Sequence, residues 1–272
     1  MTLSDRKADA ARLDRSDSRL RSDEGLGGAF TGFIDRVRSG DLGMLPVIVG
    51  LIVISVVFSV LNPVFLAPNN LVNLLFDCAT VGFISLGIVA VLMLGQIDLS
   101  VGSMSGLASA IVGVLWVNMG VALPLAILAA LVFGALVGLV YGVLLNRFGM
   151  PSFVSTLSGL LALLGLQLYI LGPSGSINLP YASPLVRFGQ ILVMPDWLSY
   201  ILAALPGAAM LLLGLRTMQR RAAANLSYPG LSVLILKAAV LTLGIEFAVW
   251  YLNQGRGIPY MFVLFVALVV VM

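Results

Sequence analysis

The sequence predicts an all-α fold, a polytopic membrane helix bundle with about eight hydrophobic spans, the last of them cut short. Three observations predict it. Of the 272 residues, 60% are hydrophobic, and the mean hydropathy is +1.09. Only 10% are charged, where a soluble domain carries about a quarter. Long apolar runs recur along the chain, separated by short breaks rich in Asn, Pro, Gly and Arg, as spans and their connections require.

The charges divide the chain into two domains. Residues 1–43 hold eight basic and eight acidic residues. Residues 44–272 hold seven basic and four acidic ones, so the net charge of +3 lies wholly in the membrane part. From Ser4 to Arg21 the chain mixes Asp, Arg, Ser and Ala and carries too little apolar surface to fold alone. A charged n-region followed by an apolar h-region is absent, so the tail is expected to stay cytoplasmic. Phe30, Phe33, Ile34 and Val37 then follow helical spacing with Asp35, Arg36 and Arg38 between them. This predicts a short amphipathic helix, either lying on the membrane surface or serving as an ordinary linker.

The transmembrane domain occupies residues 44–272. The first span is Met44–Leu61, closed by Asn62-Pro63. Pro68-Asn69-Asn70 reads as a turn, with Asn70 placed to cap a short segment, Leu71–Phe76. The second span is Asp77–Leu94, the third Ser103–Val117 and the fourth Val121–Leu145. The fifth is Ser152–Leu171, followed by a polar stretch, Gly172–Asp196. The sixth is Trp197–Leu215, then a basic loop, Arg216–Gly230, and the seventh is Leu231–Leu252. The eighth begins at Ile258. Its 15 residues rise about 22 Å at ~1.5 Å each, where a span needs about 20 residues. The chain is expected to stop inside that helix.

Basic residues orient the bundle. Arg216, Arg220 and Arg221 form the one basic cluster of the membrane part, so their loop is expected to be cytoplasmic. Counting backward puts Arg147 and the tail on the same side. Gly172–Asp196 and Asn253–Gly257 fall outside, with Arg256 as the exception.

Between the second and third spans lies a polar island, Gly95-Gln96-Ile97-Asp98-Leu99-Ser100-Val101-Gly102-Ser103. An ionised carboxylate in hydrocarbon costs at least ~2.5 kcal/mol, so Asp98 must face a cavity, a partner or the interface. Three readings stay open. Asp98 or Ser100 caps the third helix. The island is a cytoplasmic turn. Or it is a helix break whose free backbone groups line a substrate path, which short second and third spans would permit. The candidate pathway or helix-break residues are Gln96, Asp98, Ser100, Gly102, Ser103 and, on the fifth span, Thr156. Gly134, Gly138 and Gly142, four residues apart, form a smooth stripe for helix packing, and Gly102 with Gly106 repeats it.

Glu246 sits in the seventh span, nine residues after Lys237, so the two point to opposite faces. Lys237 can snorkel to the interface. Glu246 is the residue a proton-coupled carrier would need. Other chemistry is excluded by what the chain lacks. There is no His, and a single cysteine, Cys78, so no disulfide framework, thiolate cluster or His-based metal site is expected. There is no GxxxxGK[ST], HExxH or GxSxG, so no catalytic residues, cofactor or nucleotide site are assigned, and nucleic acid is not an expected partner. Transport energised by something else is the default reading.

Gln96-Ile97-Asp98-Leu99-Ser100-Val101-Gly102-Ser103 resembles the IDLSVG signature of ABC-transporter permeases that import monosaccharides of the ribose, xylose and arabinose group. Met150-Pro151-Ser152-Phe153-Val154-Ser155-Thr156-Leu157 is similar to the PSFIVTL of that family, and Arg256-Gly257-Ile258-Pro259 to its RGVP. A helix pair around the basic loop resembles the xylose-type permeases, and the likeness runs from Leu42 to Met272. It implies a permease that pairs with a second copy in the inner membrane. A periplasmic sugar-binding protein would serve it from outside, and ABC ATPase subunits would dock from inside. Three departures stand out. The family's cytoplasmic segment resembling GGNxEAARLSGI, which contacts the ATPase, has no counterpart in this chain, which stops before it. Gln96 stands where an acidic residue is frequent. No family role transfers to Glu246.

Overall fold

The computed structural model describes residues 43–224 and 230–272. The tail and the amphipathic segment Phe30–Val37 lie outside the described residues, as do residues 225–229 of the basic loop. Among the described residues all regular structure is helical. Eight helices carry the bundle: α1 Leu45–Leu61, α2 Pro68–Met93, α3 Val101–Gly113, α4 Leu123–Phe148, α5 Ser152–Leu171, α6 Asp196–Ala223, α7 Leu231–Asn253 and α8 Tyr260–Val271. Six of them, with α3 extended to Asn118 and α5 to Ser174, are long and apolar enough to cross a membrane. The shorter α1 and α8 are equally apolar. The chain is a polytopic membrane helix bundle. Most of its large apolar side chains face outward, as in a protein whose surroundings are lipid.

Several expected boundaries shift, among them the fourth span's, which runs Leu123–Phe148, and the start of the eighth, which is Tyr260. Pro68-Asn69-Asn70 is the first turn of α2 and not a separate turn, so the second span and the short segment before it are one helix of 26 residues. Pro68 is suited to this place, because its missing N–H is one of the four that a helix start leaves unpaired. Asn70 does not cap from outside. It lies within the helix, and its Nδ2 donates to the Phe65 carbonyl at 2.7 Å. A helix of ~39 Å leaves no short second span from which to build a shallow re-entrant loop. The third span starts two residues early and ends in a π-helical turn, Val114–Asn118. The sixth runs to Ala223, so Arg216, Arg220 and Arg221 ride on helix rather than in a loop. Arg, Gln, Met and Ala are good helix formers, no Gly or Pro interrupts them there, and cations suit a helix C-terminus.

Two compact units emerge from the packing. One combines the described residues up to Asn73 with Val193–Ile258. Its principal contact is α6 against α7. Gly207 is buried there, and a Cβ added to it would fall on Thr242 Oγ1, with Thr242 Cβ at 3.2 Å and the Ala238 carbonyl at 3.3 Å. Gly207→Ala is therefore expected to destabilise the bundle by about 1–3 kcal/mol. Thr242→Ala removes the obstructing oxygen and should restore most of the loss. Thermal unfolding of the detergent-solubilised single and double variants checks this. At one end of this unit Arg256 donates to Asn73 Oδ1, Tyr251 Oη to the Leu66 carbonyl at 2.9 Å, and Asn253 Nδ2 to Ser199 Oγ at 3.0 Å.

The other unit combines Leu74–Leu192 with Pro259–Met272. Here α3 packs along α5 and, less extensively, against α4. Phe265 of α8 lies over the buried Gly82 of α2, and its ring meets that of Phe83 edge-on at 5.9 Å. This unit contains the whole polar island.

Candidate functional site

The island begins where α2 stops. Gly95 takes φ +71°, a left-handed conformation that glycine adopts freely. Its N–H bonds to the Leu92 carbonyl at 2.9 Å, and the N–H of Gln96 bonds back to that of Val91 at 3.3 Å. This pair of bonds is the Schellman termination, and it satisfies two carbonyls that the helix end would leave bare. The chain then runs non-helically from Gln96 to Leu99 before α3 begins at Val101.

A non-helical strap in a membrane protein must find partners for its backbone. They come from α5, more than fifty residues further along the chain. Ile97 donates its N–H to Ser152 Oγ at 3.2 Å, and Leu99 donates its N–H to Thr156 Oγ1 at 3.2 Å. The Thr156 hydroxyl in turn lies 3.3 Å from the Ile97 carbonyl and 2.8 Å from that of Ser152. Ser152 and Thr156 are four residues apart, so one face of the first turns of α5 grips the strap. Pro151 precedes that turn and supplies its N-cap.

Asp98 serves the island from within. Its Oδ1 accepts from the Ser100 N–H and from the Ser100 hydroxyl, both at 2.7 Å. Ser103 Oγ donates to the Ser100 carbonyl at 2.8 Å. Ser100 is 1% exposed and Ser103 is also buried. Ser100 is the residue before α3, and its own side chain makes no capping bond. Of the readings left open, capping by Ser100 is thus replaced by an aspartate turn that secures the entry to α3. The carboxylate also sits beside the free N–H groups of that helix start, where a negative charge is favoured. Among the described residues, Asp98 has no basic partner.

A cavity of about 220 Å³ opens beside the strap, bounded by Gln96, Asp98, Tyr141, Gly142, Ser155 and Thr156 among others. At ~30 Å³ per molecule it holds roughly seven waters. Gln96 is half-buried and its amide has no bond among the described residues. Asp98 is the one charged group on the wall, and no basic residue lines it. Such a wall suits a neutral, hydroxyl-bearing solute and disfavours an anion.

The expected site residues thus separate. Gln96, Asp98 and Thr156 line the cavity together, although the Thr156 hydroxyl is also committed to the strap. Ser100 and Ser103 are buried and do not border it, and Gly102 faces open space. Of the glycine stripe, Gly138 and Gly142 border the same cavity and would meet nothing if given a Cβ, whereas Gly134 lies against Met104. Glu246 is half-exposed on α7 and has no hydrogen bond or ion pair among the described residues.

Sequence reasoning overlooked Ser152, Ser155 and Tyr141. The hydroxyls at 152, 155 and 156 were visible as a cluster spaced i, i+3, i+4 at the start of a span. Tyr141 had a weaker signal, a lone polar aromatic beside Gly142 in the apolar stretch that precedes Asn146 and Arg147. Its hydroxyl is buried with no partner among the described residues and is seated over Gly159, where a Cβ would collide with it.

Comparison with known proteins adds sequence likeness to this geometry. Residues 70–272 match the family described as branched-chain amino acid transport system / permease component. The xylose transport system permease protein XylH of Escherichia coli K12 is 32% identical over 233 residues, which cover 85% of this chain and 58% of that protein. The XylH of Haemophilus influenzae is 29% identical over 226 residues, covering 83% and 60%. The ribose import permease protein RbsC of Bacillus subtilis is 38% identical over 119 residues, covering 44% of this chain and 37% of the relative. The chain spans about three fifths of the length of the xylose permeases it matches. No solved structure matches it.

Proposed function

This chain belongs to the branched-chain amino acid transport system / permease component family, and on that premise we propose that it is the transmembrane permease subunit of an ATP-driven monosaccharide importer. A xylose-like pentose is the favoured substrate. The observation that carries the reading is the cavity beside the strap, where Gln96, Asp98 and Thr156 border a space without any cation. An amino acid would present a carboxylate and call for a basic group. A sugar presents only hydroxyls, which amide, carboxylate and hydroxyl side chains can all bind. The names of the similar permeases, for xylose and ribose, point the same way.

In this reading two copies of the permease form the path across the inner membrane, embedded in lipid, with the N-terminus cytoplasmic. A periplasmic binding protein delivers the sugar. Separate ATPase subunits hydrolyse ATP and switch the pair between outward- and inward-facing states, and the permease itself performs no catalysis. The strap and its clamp on α5 are the break at which the switch bends, and Gly138 and Gly142 leave room beside it for a helix to shift. A second reading, a proton-coupled secondary carrier, is favoured by Glu246 alone, a carboxylate on a membrane span without a bonded partner among the described residues.

The test is stimulation of ATP hydrolysis. The permease is purified with its ATPase subunits and placed in lipid vesicles. Addition of xylose-loaded binding protein should raise ATP hydrolysis several-fold, and the sugar-free protein should do less. An assembled complex whose ATPase ignores every pentose-loaded binding protein would exclude the proposal.

A further inference from the structure

Along the same α3/α5 pair, away from the island, lies a second cavity that the island chemistry does not use. The two helices run in the same direction. Leu99 meets Thr156 near their starts, Gly106 meets Gln167 further on, and Gly113 meets Ile177 just beyond the end of α5. The cavity measures about 170 Å³ and is bounded by Gly106, Ser109, Gly113, Gln167, Ser176 and Ile177, with Ala110, Leu171 and Leu179 completing the wall. At ~30 Å³ each it holds five or six waters.

Three features make this cavity more than a packing fault. Gln167 projects its carboxamide against Gly106, so closely that a Cβ at 106 would fall on Oε1. Gly106 therefore reserves the place in which that amide lies. Second, the amide makes no hydrogen bond among the described residues, although it offers two donors and an acceptor. A half-buried amide on the wall of a cavity large enough for water, with no hydrogen-bond partner among the described residues, is poised to exchange bonds with a solute. Third, the rest of the polar wall is hydroxyl, and no charged side chain lines it. Ser109 Oγ donates to the Ser105 carbonyl at 3.0 Å and keeps its oxygen free to accept.

We propose that this cavity is a second monosaccharide subsite, in which the Gln167 carboxamide exchanges hydrogen bonds with neighbouring hydroxyls of the sugar, before or after the sugar occupies the island cavity. The proposal rests on the sugar-permease reading and extends it. Two small polar cavities along one helix pair give a solute successive places to rest, with the buried Ser103, Leu107, Ala110 and Leu163 between or beside them. No charged side chain lines this subsite, unlike the island, where Asp98 is present.

The experiment is protection of an introduced thiol. In the complete transporter in membranes, Cys78 is replaced by alanine, and Ser109→Cys is placed in this cavity or Gln96→Cys at the island. Each is labelled with a small thiosulfonate, with saturating xylose or with sucrose as the control. Xylose should slow labelling at Ser109→Cys about tenfold, the change a site worth ~1.4 kcal/mol in occupancy would produce. Gln167→Leu should reduce that protection to about twofold or less. Gly106→Ala displaces the carboxamide without deleting it, and should do the same in a protein that still assembles. If Ser109→Cys resists labelling altogether, or is labelled equally fast with either sugar while Gln96→Cys is protected, the second subsite falls and the sugar reading stands. Protection that survives both Gln167→Leu and Gly106→Ala overturns the role given to Gln167. If neither thiol is protected by any pentose and the unmodified transporter moves none, both readings fall.

Discussion

Asp98→Ala is expected to abolish sugar uptake and to lower the stability of the bundle by about 3–5 kcal/mol. Two bonds of 2.7 Å converge on Asp98 Oδ1, and hydrogen bonds to a charged group contribute about 1.5–3 kcal/mol each. The donors they satisfy belong to Ser100, which is 1% exposed. Alanine leaves an N–H and a hydroxyl unpaired at the very point where α3 begins. Asp98→Asn keeps an oxygen at the same place and loses only the charge. It forfeits the attraction to the start of α3, about 0.3–1 kcal/mol, and weakens the two bonds. Uptake by the asparagine variant should stay within about twofold of the parent if Asp98 works by shaping the break. Normal expression with uptake lost in Asp98→Asn would show instead that the charge itself takes part in transport. Unaltered stability and uptake in Asp98→Ala would refute both roles.

Thr156→Val should be nearly as damaging, although the two side chains have the same shape. Valine deletes the hydroxyl that accepts from Leu99 N–H and reaches the Ile97 carbonyl. Each backbone group left unpaired costs about 1–3 kcal/mol. A loss of about 2–4 kcal/mol is expected, with the strap released from α5 and uptake reduced at least tenfold. Thr156→Ser retains the hydroxyl and should preserve most of the activity. This separates the clamp from packing, because serine loses the methyl group that valine keeps. Thermal unfolding in detergent and initial uptake rates, measured on the same membranes, read both consequences. If valine were tolerated and serine were not, the methyl group and not the hydroxyl would be holding the strap.

Much of this architecture was legible because a bilayer demands apolar runs of a certain length, and such runs survive in a single sequence. The first, fifth and seventh spans were read to within about a residue of α1, α5 and α7. Boundaries failed where polar residues continue a helix instead of ending it. Pro68-Asn69-Asn70 looks like punctuation, yet proline and asparagine fit a first turn when the helix starts at that residue. Arg216 to Ala223 looks like a loop by charge, yet its residues favour helix and it extends α6 past the apolar zone.

The site was half legible for a different reason. The aspartate turn is local, two residues apart, and Asp98 and Ser100 could be singled out from the motif. The clamp is tertiary. No local pattern joins Ile97 to Ser152 or Leu99 to Thr156, so the hydroxyls at the start of α5 registered as polar residues on a span without their purpose. The glycine stripe illustrates the limit of spacing arguments. Gly134 touches Met104, as helix packing expects, while Gly138 and Gly142 face the cavity. One four-residue rhythm thus covers a packed site and an empty one. Tyr141, pressed onto Gly159 with its hydroxyl unpaired, was hidden because its partner is another helix's missing side chain.

The central claim, that this permease moves a sugar at the expense of ATP, is tested most directly by separating the two energy sources. Uptake of labelled xylose is measured in cells producing the permease with its partner subunits, with and without an uncoupler, while intracellular ATP is held high and then depleted. Uptake should persist when the proton gradient collapses and stop when ATP is exhausted. Uptake that vanishes with the uncoupler while ATP remains high would contradict it and return Glu246 to the centre of the mechanism.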